Sequence, residues 1–179
     1  MTPVLEVIGL STEYALREGP LRAVDEVSLT LHAGRTLCVV GESGSGKSVT
    51  ARSILNIVQP PGRIVAGRIL LHGAPGTGPQ DLAALDPRGA AIRAIRGRDV
   101  AMIFQEPMSS LSPVHTIGAQ IVEALRLHTR LARSERRARV VELLAEVEIP
   151  DPGRAADRYP FEYSGGMRQR AMIAMALAC

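Results

Sequence analysis

Lysine is almost absent from this sequence. Of its 21 lysine and arginine residues, only Lys47 is lysine, so the 179-residue chain uses arginine nearly everywhere a surface cation will do. Tryptophan is missing and aromatic residues make up 3% of the chain. No basic block lies beside stacking rings, which argues against a nucleic-acid groove built on base stacking. Cysteine is scarce too: Cys38 and Cys179 have no metal-ligand spacing, suit a reducing compartment, and read as inert thiols, Cys38 within an expected buried strand. The amino-terminal MTPVLEVIGL has no cationic segment followed by an apolar core, and no uninterrupted apolar run reaches membrane-spanning length. A cytosolic chain is expected, free to dock on a membrane partner. The remainder, 46% hydrophobic and 22% charged with a net charge of +3, is ordinary for a soluble globular domain with one core.

The single lysine stands in GESGSGKS, residues 41–48, which fits the phosphate-cradling pattern G-x-x-x-x-G-K-[ST]. Gly41, Gly44 and Gly46 allow backbone angles closed to other residues, so that successive N–H groups can turn toward one anion. Residues 35–40, RTLCVV, read as a short buried parallel strand, and residues 48–55 can start a helix whose positive end faces the phosphates. Lys47 supplies a compact ammonium for the β and γ phosphates where a planar guanidinium would not fit, and the Ser48 hydroxyl is the expected Mg²⁺ ligand. A dinucleotide-binding G-x-G-x-x-G is set aside because Val49 stands where its third glycine belongs.

Around this loop, residues 5–8 and 24–31 alternate as half-buried antiparallel strands, with Tyr14 in the irregular link between them, where its ring could stack on a base or simply pack. Residues 63–72 read as a strand pair around Gly67, residues 74–79 as a Gly/Pro-rich loop, and Asp86-Pro87 as the start of a helix with Ile92 and Ile95 inward. Residues 100–104, VAMIF, read as a second buried strand. Gln105 follows it directly, at the strand end where doubly wound folds place ligands, so it can reach Mg²⁺ or an attacking water; taken alone it serves equally as a turn residue.

Thr116 and Ser134 can each cap an amphipathic helix, suggesting an all-helical insert, and the arginine run 133–139 reads as a solvated face. After a Pro/Gly turn come Tyr163, Ser164, Gly165 and Gly166, with Ser164 at a cap position and two glycines exposing backbone N–H groups, again a place for phosphate. The helix that follows, AMIAMALAC, is apolar on every face and is expected to be buried between layers. Its abrupt end suggests a fragment of a longer domain.

A phosphate loop, a post-strand glutamine, a helical insert and SGGMRQR, in that order, resemble the ATP-binding cassette (ABC) family. FQEPMSSLSPVHTIGAQIVEALRLH and YSGGMRQRAMIAMALAC look like the ATPase subunits of bacterial dipeptide, oligopeptide and nickel importers, over nearly all of the chain. The resemblance implies an α/β P-loop NTPase (RecA-like) core with a small antiparallel β subdomain and an α-helical subdomain, incomplete at its C-terminus: β subdomain and core over 1–110, helical subdomain over 111–165, signature helix over 166–179. It implies ATP and Mg²⁺ as cofactors, held by Gly41, Ser43, Gly44, Ser45, Gly46, Lys47, Ser48 and Val49, with Tyr14 against the base. Lys47 and Gln105 would act in catalysis, and Ser48 and Gln105 at the metal. Ser164, Gly165 and Gly166 would close over ATP held by a second ATPase in a head-to-tail dimer. The implied partners are integral-membrane permeases and, indirectly, an extracytoplasmic solute-binding protein, with no nucleic acid; the implied location is the cytoplasmic face of the plasma membrane. Tyr163 and Met167 depart from the general LSGGQ wording. The second Mg²⁺-site aspartate, the catalytic glutamate and the switch histidine are missing, so the 179 residues alone are expected to be inactive in hydrolysis. A soluble repair or translation cassette and a non-enzymatic remnant stand as alternatives.

Overall fold

The computed structural model describes residues 2–73, 76, 78–105 and 110–179, in two compact units, Met1–Arg93 and Ala94–Cys179. In the first unit four strands form one antiparallel sheet: β1 Pro3–Leu16, β2 Gly19–His32, β3 Gly62–Leu71 and β4 Gln80–Asp81, ordered β2-β1-β3-β4. β1 is central, and Val7, Leu10 and Thr12 are all but fully buried on it. The strands run further than their alternation implies. β1 continues through Tyr14 to Leu16 and meets β2 across a two-residue turn, so Tyr14 lies within a strand, paired with Leu21 and Gly62, and not in an irregular link. Cross-strand pairing holds these residues extended where the hydrophobic pattern has already faded.

Residues 62–71 form one bulged strand where a strand pair was expected. Gly67 has φ +95°, and a Cβ there would lie 2.6 Å from the carbonyl oxygen of Gly9, itself at φ +57°. The register between β1 and β3 shifts beside this approach, between Ile8 and Ser11. Glycine at 67 thus lets the two backbones approach without ending the strand.

Helix α1, Lys47–Ile54, sits against β1 and β2. Thr12 Oγ1 and Ser53 Oγ share a buried hydrogen bond of 2.9 Å, and Ser53 donates in turn to the carbonyl of Val49. Helix α2, Ala90–Ile95, buries Ile92 and Ile95 as expected.

Neither expected parallel strand forms. Residues 35–40 are not in a strand and are exposed, with Val40 91% accessible and Cys38 on the surface. In the stretch 100–104 only an isolated bridge joins Arg96 to Val100. A strand needs a neighbour to bond its backbone, and none of the described strands pairs with either stretch. The loop expected over residues 74–79 lies partly outside the described residues.

The second unit is helical. Helices α3 Ile117–His128, α4 Arg133–Glu146, α5 Pro152–Ala155 and α6 Gly165–Ala176 enclose a core that includes Ile121, Leu125, Val140, Leu143 and Leu144. Thr116 caps α3 by accepting from the Ala119 N–H at 3.2 Å, as its sequence position implies. For α4 the cap is shifted: Ala132 holds the N-cap and the Glu135 carboxylate accepts its backbone N–H, in place of a Ser134 cap. A carboxylate reaching back over the first turn accepts from the N-cap N–H, a different donor from the N2 or N3 N–H that a capping serine would take, and complements the helix dipole. α6 buries Ala171, Met172 and Ala174 and half-buries Ile173, Met175 and Ala176, while Leu177 beyond its end is 58% exposed. Ala171 and Ala174 belong to the helical core, where small side chains let α6 lie close to α3 and α4. None of the helices among the described residues is long and apolar enough to cross a membrane.

Leu125 is fully buried between these helices. Leu125→Ala is expected to lower stability by about 2–5 kcal/mol through lost transfer energy and the cavity left behind, read as a lower urea midpoint of the helical signal at unchanged slope.

Candidate nucleotide site

The phosphate loop closes on itself through its lysine. Lys47 Nζ donates to the carbonyl oxygens of Gly41, at 2.7 Å, and Glu42, and to Ser45 Oγ at 3.1 Å. These are exposed bonds to neutral acceptors, which an anionic phosphate would replace with a stronger charge-assisted set. Gly44 and Gly46 adopt φ +84° and +87°. Gly46 is the N-cap of α1, and having no side chain it leaves the first-turn N–H groups without a capping oxygen, which is the donor arrangement of an anion site. A Cβ on Gly41 would lie 2.6 Å from Ser45 Oγ, so the glycine also keeps the loop's inner wall open. Ser43, Ser45, Ser48 and Val49 occupy the loop and the first turn beside Lys47. The donors, the cation and the hydroxyl at Ser48 together fit a Mg²⁺-bound polyphosphate.

Tyr14 is half-buried on β1, and a Cβ on Gly62 would lie 2.6 Å from its Cε1. The ring therefore lies across the Gly62 backbone. Gln105 is exposed at a bend after Phe104; Glu106-Pro107 and the next two residues of the quoted FQEPMSS lie outside the described residues.

In the helical unit Ser164 caps α6, its Oγ accepting from the Met167 N–H at 3.3 Å, and Gly165 and Gly166 form the first exposed residues of the helix. A Cβ on either glycine would meet nothing within 4 Å, so the space over this helix start is open. Arg168 Nε donates to the carbonyl of Pro160 at 2.7 Å, and Arg170 Nη1 to that of Glu148 at 2.7 Å. These bonds fix the start of α6 to the turns before it.

Tyr163 has a structural role that its place in the motif does not announce. Its aromatic ring is a departure in wording but a structural anchor: the side chain is 2% exposed and its hydroxyl donates to the Ala155 carbonyl at 2.9 Å. Its partner lies eight residues upstream across a turn, and no local pattern announces such a pairing. Burial pushes the hydroxyl pKa up to about 12, with the nearby Arg158 opposing and Glu162 adding to the shift.

A glycine-rich loop opening a helix beside an antiparallel sheet, and a helical unit presenting a serine-capped Gly-Gly helix start, define the cassette class of P-loop nucleotide-binding proteins. The chain belongs to the ABC transporter family, whose sequence pattern matches residues 24–179. It is 52% identical over 178 residues to a Brucella ovis protein named for peptide import ATP binding, covering 99% of this chain and 52% of the relative. It is 44% identical over 176 residues to the dipeptide transport ATP-binding protein DppD of Escherichia coli, covering 98% of this chain and 51% of that protein. The chain thus spans about half the length of the curated relatives it matches. Among solved structures, the ATP-binding cassette MJ0796, in a dimeric post-hydrolysis state bound to ADP and Pi, aligns with a TM-score of 0.82 at 26% identity, covering 97% of this chain and 69% of that one. The α/β P-loop cassette fold is shared with it, including a small antiparallel sheet and a helical part.

The raised Tyr163 pKa makes a prediction with a definite sign. A folded-state pKa above the unfolded value of about 10 means that the folded chain favours the protonated hydroxyl. The contribution is full below about pH 10 and is lost as pH climbs toward about 12. Tyr163→Phe is expected to cost about 1 kcal/mol near neutrality, from the unpartnered Ala155 carbonyl. It should also flatten the alkaline fall of the melting temperature relative to the parent, as followed by circular dichroism.

Proposed function

We propose that this chain is the nucleotide-binding part of the ATPase subunit of an importer that couples ATP binding and hydrolysis to uptake of peptides, or of nickel, across the plasma membrane. The observation that carries the reading is the lysine-closed loop on the uncapped start of α1, and the names of the relatives, peptide import and dipeptide transport, support the cargo class. Lys47 would exchange loop carbonyls for the β and γ phosphates, and the first-turn N–H groups up to Val49 would complete the cradle. Ser48, with Gln105, would ligate Mg²⁺, which when bound neutralises phosphate charge. Tyr14 is proposed beside the base.

Ser164, Gly165 and Gly166 are proposed to cover ATP held by a second ATPase in a head-to-tail dimer, because an open, serine-capped helix start is an anion site lacking a phosphate loop of its own. Integral-membrane permease subunits would hold the dimer at the cytoplasmic face, with an extracytoplasmic solute-binding protein acting through them. Along the chain this divides the roles among the β subdomain and core over 1–110, the helical subdomain over 111–165 and the signature helix over 166–179.

Lys47→Ala is expected to weaken Mg·ATP binding by about 1.5–3 kcal/mol, roughly ten- to a hundredfold in Kd, through loss of one charge-assisted contact. Calorimetric titration giving equal affinities for variant and parent would refute the assignment. A second experiment addresses the shared site: in the intact subunit, Lys47→Ala and Ser164→Arg are each expected to be inactive alone, and their mixture should regain ATPase activity from one composite site per dimer. Activity that stays at the sum of the two separate variants would rule out a role for Ser164 across the interface.

A further inference from the structure

The corner between α3 and α4 carries positive charge that nucleotide binding does not use. Arg126 and Leu127 in the last turn of α3, Arg130 in the connector and Arg133 at the start of α4 are exposed, Leu127 to 65%. Among the described residues the ion pairs of this unit engage Arg98, Arg137, Arg139 and Arg154 instead. The corner is also rigid. Thr129 Oγ1 donates to the Leu125 carbonyl at 2.6 Å, Leu131 packs on the helical core, and the Glu135 carboxylate holds the Ala132 N–H. The arginines therefore stand on a fixed base.

Local stability explains only part of this charge. Arg126 and His128 complement the negative end of α3, but Arg133 and Arg136 sit at the positive end of α4, where a cation is disfavoured. Glu135 in the same turn offsets part of this charge, and Arg133 remains exposed beside Arg126 and Arg130 with no ion pair among the described residues.

We propose that this corner docks on an anionic lipid surface, Arg126, Arg130 and Arg133 gripping headgroup phosphates while Leu127 enters the acyl boundary among them. Guanidinium forks match phosphate oxygens two at a time. An exposed leucine between arginines in sequence suits an interface where an apolar side chain enters the acyl boundary and cations stay at the headgroups. The connector and the flanking turns hold no Phe, Tyr or Trp on which a nucleic-acid base could stack. The choice of lipid rests on the importer reading, which brings the chain beside the cytoplasmic leaflet.

The test is sedimentation of the full chain, free of nucleotide, with vesicles of phosphatidylcholine alone or mixed with phosphatidylglycerol. Binding is expected only to the mixed vesicles and is expected to vanish at high salt. Replacing Arg126, Arg130 and Arg133 together by Gln should lower the partition coefficient about a hundredfold, and Arg130→Glu alone, outside either helix, about tenfold. The double variant Arg137→Gln, Arg139→Gln, which removes ion-paired arginines, should stay within about twofold of the parent. Equal binding to neutral vesicles, a parent-like Arg130→Glu variant, or an equal loss in the double variant would overturn the proposal. So would tighter retention on RNA or on polyglutamate than on the mixed vesicles at the same salt, which would reassign the corner to nucleic acid or to an acidic protein. Because nucleotide is absent, a failed ATP titration and a failed vesicle assay are separate results.

Discussion

The backbone of Gly46 runs so close to β2 that a single methyl group would not fit between them: a Cβ there would lie 2.4 Å from the carbonyl oxygen of Ala23. The rest of the first unit depends on this approach. It sets the start of α1 against the sheet, and the buried Thr12–Ser53 hydrogen bond then fixes the helix about two turns further on. Because Gly46 also stands at φ +87°, any other residue there faces both backbone strain and a clash with a rigid strand. The loop is held from one end by the sheet and from the other by its own lysine. That is the preorganised state from which charged phosphate can displace neutral carbonyls at little reorganisation cost.

The helical unit solves a related problem with different means. Its exposed helix start is capped by Ser164 and left open by two glycines, and it is pinned from beneath by Tyr163 and Arg168 through bonds to Ala155 and Pro160. An aromatic ring with a hydroxyl suits this place because it fills core volume and still satisfies a buried carbonyl. The departure from leucine therefore exchanges pure packing for packing plus one hydrogen bond.

The apolar stretches at 35–40 and 100–104 separate what a hydrophobic run implies from what a strand requires. Six residues such as RTLCVV are chemically fit for a buried parallel strand, yet burial comes from neighbours on each side and from covering layers. Without a described partner strand, Val40 and Cys38 face solvent. The antiparallel sheet shows the reverse case, since Tyr14 and Gly67 are drawn into strands by pairing that their own sequence does not call for.

The motifs were readable from the chain itself because their chemistry is local. A glycine-rich loop needs particular residues at particular spacings, a cap needs a serine or threonine beside the first turn, and a lysine alone among arginines marks one demanding position. Thr116, Ser164, Lys47 and the glycines at 41, 44 and 46 belong to this group. The anchoring of Tyr163 to Ala155, the bulge that joins Gly67 to Gly9, the Glu135 cap in place of Ser134 and the exposure of residues 35–40 emerged only in three dimensions. Apart from the Glu135 cap, a contact within one helical turn, each depends on what lies opposite a residue after the chain has folded back, and sequence spacing carries no record of that neighbour.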